Sequence, residues 1–82
     1  MWQQMGLDNK MSFLQMKIEG CQKSIQMYLS HIEQHRGRLD TYAVAYVRGC
    51  KQRMKACKSD LLYYQSELEK LEKERSLRLV FQ

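Results

Sequence analysis

The residue types with metal-binding chemistry lie closest together in His31-Ile32-Glu33-Gln34-His35. Two histidines four positions apart share one face of a helix and could grip a divalent ion between them. A zinc-hydrolase helix, however, needs a glutamate directly after its first histidine, beside the metal-bound water, and Ile32 occupies that position. Catalytic zinc also requires three protein ligands, and the neighbouring residues offer no third. The pair therefore reads as structural, with His35 ending an apolar run or capping a helix terminus. No metal, cofactor or small-molecule substrate is expected.

Thiol chemistry is the next candidate. Cys50 and Cys57 are separated by two helical turns, roughly 10 Å, too far to share a disulfide or a metal ion. Cys21 falls between them if the segments carrying them face one another, so a bond to either is conceivable on oxidation. No histidine stands at a spacing that would activate any of the three, and free cysteine is commonly a small buried apolar residue. An odd number of thiols fits a reducing compartment. The first residues, with Trp2, Met5 and Asp8, lack the basic start and apolar centre of a signal peptide, so a cytoplasmic location is expected. With no nucleophile, base and oxyanion site brought together, an enzyme is not expected.

Charge chemistry is more concentrated. The chain carries a net charge of +5. From Arg36 to Lys58 the basic residues are Arg36, Arg38, Arg48, Lys51, Arg53, Lys55 and Lys58, with Asp40 as the lone acid. Arg48, Lys51, Lys55 and Lys58 recur along one side of a helix, with Arg53 beside them and Tyr42 and Tyr46 near the start of the stripe. Such a stripe suits nucleic-acid phosphates or an acidic protein surface, or is simply solvated. Beyond Asp60 the signs alternate, from Glu67 to Arg75.

These residues are positioned by two apolar runs at alternating three- and four-residue spacing. The first is Met11, Leu14, Ile18, Cys21, Ile25, Tyr28, Ile32, His35 and Leu39; the second is Ala43, Val47, Cys50, Met54, Cys57, Leu61, Tyr64, Leu68 and Leu71. That spacing averages half a heptad and puts one narrow apolar seam on each of two helices. Zero prolines and four glycines agree with a mostly helical chain. No apolar run approaches the roughly 20 residues of a membrane span.

The expected organisation is a single helical domain over 1–82: an N-terminal segment at 1–10, helix 1 over about 11–36, a turn at 37–40, helix 2 over about 41–74 and a tail at 76–82. Asp8, or a capping box of Ser12 and Gln15, would start the first helix. Gly37 would end it in the left-handed conformation. Asp40 would cap the second, with Leu39 and Val44 as a hydrophobic staple. So short a connection makes the helices antiparallel neighbours, a coiled-coil-like two-helix hairpin. A symmetric turn would place Tyr28 opposite Val47, Cys21 opposite Met54, Leu14 opposite Leu61 and Met11 opposite Tyr64, with a one-heptad slip as the alternative. Leu68 and Leu71 would project past helix 1, under Trp2, Met5 and Leu7.

Phe13, Met16, Met27, Leu29, Tyr42, Tyr46, Leu62 and Tyr63 fall outside both runs, so a second layer is implied, from self-association into a helical bundle or from docking on a partner. A further line, Ala45, Gly49, Gln52, Ala56, Ser59, Tyr63 and Ser66, either faces solvent or lets another backbone approach closely. Glycine within a helix, as at Gly49, costs about 1 kcal/mol relative to alanine and calls for an offset. The expected function is a small helical protein–protein interaction module of inhibitor, adaptor or co-chaperone type. Its contacts would be Leu29, Tyr42, Tyr46, Leu62 and Tyr63, with Arg48, Lys51, Arg53, Lys55 and Lys58 around them. The competing expectation is a nucleic-acid-binding regulator that uses the basic stripe.

Overall fold

The computed structural model describes residues 6–81. It contains two helices, α1 at Leu7–Gln34 and α2 at Thr41–Phe81, packed against each other as an antiparallel hairpin, with no strand among the described residues. Every residue of the two apolar runs is buried or half-buried except Leu39. Burial is deepest at two places, Met11 and Leu14 toward the open end and Ala43 and Cys50 toward the turn. Hairpin formation thus follows from the periodicity: each helix hides one seam and leaves most of its other residues exposed.

Both helices are longer at their outer ends than the sequence signals suggested. α1 starts at Leu7 behind Gly6, whose carbonyl accepts the Lys10 N–H at 3.0 Å, and no side chain caps it. Neither Asp8 nor Ser12 acts as the cap. Asp8 lies instead in the first turn, where a carboxylate suits the positive end of the helix dipole, and it approaches Arg75 at 3.8 Å. Leu7 and Leu71 are both half-buried at this end; Trp2 and Met5, the other expected cover, lie outside the described residues. α2 continues through the stretch expected to be a tail. No glycine or proline stops it, and Lys70 with Glu67, Lys73 with Glu69 and Arg78 with Glu74 pair along its surface at 3.2, 3.8 and 2.6 Å.

The connection behaves as the cap signals require, with two differences. Gly37 adopts φ 83°, the left-handed region that favours glycine. The Asp40 carboxylate accepts the Ala43 N–H at 3.1 Å and the Arg38 Nε–H at 3.2 Å. The Ala43 hydrogen bond, reinforced by the Arg38 charge, holds the Asp40 carboxyl below its ordinary pKa. Leu39, however, is 90% exposed, so it neither ends the seam nor staples onto Val44. The second difference is register. Leu14 shares a crevice with Tyr64 rather than facing Leu61, Cys21 lies beside Cys57 rather than Met54, and Tyr46 reaches His31. The helices are therefore slipped by about one turn from the symmetric arrangement, less than the heptad alternative. Asymmetry of the connection explains the slip. Bonds from His35 N–H to the Ile32 carbonyl and from Arg36 N–H to the Glu33 carbonyl, each 3.2 Å, continue the winding of α1, so the chain returns only over residues 38–40.

Candidate interaction surfaces

Successive helical residues turn by about 100°, so the two sides of the seam on each helix form two separate flanks of the hairpin. The ten residues expected to form one contact surface divide between them. Leu29, Arg48, Lys51, Lys55, Lys58 and Leu62 lie on one flank. Tyr42, Tyr46, Arg53 and Tyr63 lie on the other, so the hairpin does not bring the ten together on one side. The neighbours of each side chain support the division. Arg48 and Lys51 line a cleft with Glu33, Arg36 and Val44, whereas Arg53 acts electrostatically on Tyr46, which stacks on Tyr42.

On the basic flank the cleft is open and has a volume of about 490 Å³. Ile32, Val44 and Val47 floor it, and Arg36, Arg38, Arg48 and Lys51 surround them. Arg36 is held by Glu33 at 3.2 Å and Arg38 by Asp40. Among the described residues Arg48, Lys51, Lys55 and Lys58 have no acidic partner. The contrast with the far end of α2, where acids and bases pair along the helix, makes this stripe the concentrated positive charge of the hairpin. Val44 and Val47 were missed as part of the surface because they read only as a staple and a seam residue.

The other flank is neutral in character. Toward the turn, the Tyr46 hydroxyl lies 2.7 Å from His31 Nδ1 and donates to it when that nitrogen is unprotonated. The Tyr46 ring also packs on His35 at 4.7 Å between centroids, and burial followed by the neighbouring Cys50 thiol raises the phenol pKa. Tyr46 is thus half-buried in the hairpin's own packing rather than free for a partner. His35 Nδ1 meets the His31 carbonyl at 2.8 Å and so satisfies a carbonyl near the end of α1. Both histidines are engaged locally, and among the described residues no three His, Cys, Asp or Glu side chains converge as a metal site. The His31–Tyr46 pair joins positions fifteen apart, beyond the reach of periodicity within one helix.

Further along this flank Cys21 and Cys57 line a shallow crevice with Asp60 and Tyr64. Cys50 is buried apart from them, and all three cysteines are free. Burial, then the Asp60 carboxylate and Cys57, push the Cys21 thiol above its ordinary pKa, which keeps it protonated and weakly nucleophilic. Gly20 and Gly49 lie mid-helix on the same flank, and a β-carbon at either would meet nothing within 4 Å. Neither helix is long and apolar enough to cross a membrane. Comparison of the chain with family models, curated proteins and solved structures finds no match.

Proposed function

We propose that this chain is a small helical protein–protein interaction module, of inhibitor, adaptor or co-chaperone type, that acts by binding a macromolecule rather than by catalysis. The observation that carries the reading is the single layer. The hairpin measures 63 × 24 × 14 Å, and its thinnest dimension is barely one helix with its side chains. Domains ordinarily bury their apolar stripes between two layers. Here the radius of gyration is 18.1 Å, against about 12 Å for a compact chain of this length. The accessible surface is 6650 Å², about 1400 Å² more than a compact monomer of this mass exposes. Met16, Leu29, Leu62 and Tyr63 are among the large apolar side chains in that excess. Three free thiols fit a cytoplasmic setting.

Nucleic-acid binding is a second reading, favoured by the unpaired Arg48, Lys51, Lys55 and Lys58 on one flank. One experiment separates the two. Fluorescence anisotropy with a labelled single-stranded or duplex oligonucleotide, repeated from 50 to 200 mM salt, should show weak binding if the apolar surface is the working one. Steep salt dependence with tight binding at low salt would favour the nucleic-acid reading. A chain that binds no nucleic acid, stays monomeric and captures no protein from nuclease-treated host extract would overturn both.

A further inference from the structure

On the neutral flank α2 carries a reciprocal pattern of charge and shape. On α2, Arg53 stands three positions before Ala56 and Asp60 four after it, while Gly49 and Tyr63 stand seven before and seven after. All five lie on this flank, because these spacings return to one side of a helix. Among the described residues neither Arg53 nor Asp60 has an ion-pair partner. Tyr63 is 61% exposed, and the space beside Gly49 is open. On α1 the same flank carries Gly20, Ser24 and His31. Ala56 is level with this stretch of α1, because Cys21 lies beside Cys57, next to Ala56.

We infer that a second copy of this chain docks on the neutral flank, face to face and antiparallel, with a twofold axis passing between the Ala56 residues of the two copies, to give a four-helix bundle. The inference deepens the interaction-module reading and rests on it. In this arrangement α2 lies on the α2 of the second copy. Arg53 of each meets Asp60 of the other, and Tyr63 of each covers the open space at Gly49. An isologous interface demands this reciprocity, in which each residue meets a partner that it also serves. The excess of about 1400 Å², shared between the two flanks, is of the order of the roughly 800 Å² per partner of a standard interface. The choice of the neutral flank follows from charge. The opposite flank would bring the unpaired Arg48, Lys51, Lys55 and Lys58 of two copies together, which electrostatic repulsion opposes. Two-layer packing would leave that basic flank outward, free for an acidic partner.

Sedimentation equilibrium on the full chain from 1 to about 200 µM tests this, with circular dichroism as the control for folding. The wild type should sediment at twice the chain mass. Arg53→Asp or Asp60→Arg alone brings like charges together on both sides of the twofold axis and should raise the dimer dissociation constant by about tenfold or more. The combined Arg53→Asp, Asp60→Arg chain should return to within a few-fold of the wild type. Gly49→Leu should preserve or increase helicity, since the hairpin leaves room for the side chain, and should still weaken the dimer. A combined variant no better than the single ones, or a Gly49→Leu dimer as tight as the wild type, would overturn the interface. A folded wild-type monomer at the highest concentration would overturn the second copy as occupant. If that monomer still bound a protein partner, the interaction-module reading would survive the failure; if it bound none, both would fall.

Discussion

The two flanks of this hairpin are built from the same two helices, and they differ in what they leave unsatisfied. The basic flank leaves charge unsatisfied: Arg48, Lys51, Lys55 and Lys58 lack acidic partners around a cleft floored by Ile32, Val44 and Val47. The neutral flank leaves shape and area unsatisfied, with Met16 and Tyr63 exposed around positions where Gly20 and Gly49 leave open space. Unpaired charge acts over several ångströms and governs the rate and salt dependence of an encounter. Apolar surface acts at contact and governs how long a complex lasts. A single helix pair can therefore present two surfaces with separable consequences.

Both flanks depend on the seam between them, so the largest expected effect removes both. Leu14 is 3% exposed, and Leu14→Asp would bury a carboxylate with no partner there. The far-ultraviolet circular dichroism signal should collapse at 25 °C. Leu14→Ala should cost about 2–5 kcal/mol, a large part of the stability of a chain this small. A helical signal and thermal midpoint unchanged in Leu14→Asp would show that the helices do not depend on this packing.

The next effect should fall on one flank alone. Arg48→Glu, Lys51→Glu and Lys55→Glu together should abolish any salt-dependent binding to an acidic ligand and flatten its salt slope by about one unit per lost phosphate contact. Helicity should be retained, because all three side chains are exposed. Equal loss of binding from substitutions at Tyr42 and Tyr63 would mean that the flanks work as one surface.

A smaller effect is expected at the connection that sets the register of both flanks. Asp40→Ala removes the acceptor of the Ala43 N–H and should lower the melting temperature by about 5 °C at neutral pH. The Asp40 carboxyl has a lowered pKa in the folded state, so its contribution is complete above the ordinary carboxylate range and is lost as pH falls through the folded value. The difference between wild type and Asp40→Ala should therefore narrow below about pH 4. A difference that widened in acid would show that the cap is not the stabilising contact.

Tyr46→Phe should be milder still. It deletes the hydroxyl 2.7 Å from His31 but keeps the ring against His35, so the melting temperature should drop by only a few degrees and partner binding should be unaffected. A loss of binding without a change in melting would return Tyr46 to the partner surface. The smallest effect is expected from truncation after Ser76. Leu77, Leu79 and Val80 are all exposed, so the rest of the hairpin should melt within about a degree or two of the full chain.

Periodicity in the two apolar runs was sufficient to specify the hairpin and, Leu39 apart, the residues that turn inward, because a repeat near 3.5 has only one face to bury. The chemistry of Gly37 and Asp40 likewise specified the turn, since each answers a local backbone need. Leu39 escaped because its exposure depends on the path of the connection rather than on its place in the repeat. The extent of α2 past residue 74 was underread, as a mixed-charge ending carries no stop signal. Register and the division of the candidate site were decided only by the tertiary structure. A heptad pattern is nearly unchanged when one helix slides a turn along the other, so bonds in the connection and the meeting of His31 with Tyr46 select the register that the pattern leaves degenerate. Residues a few positions apart along α2, such as Arg53 and Lys55, are neighbours in the chain yet point to opposite sides of the hairpin once the seam direction is set. Sequence supplied the periodicity that chooses the buried face; packing of α1 against α2 chose what stands on either side of it.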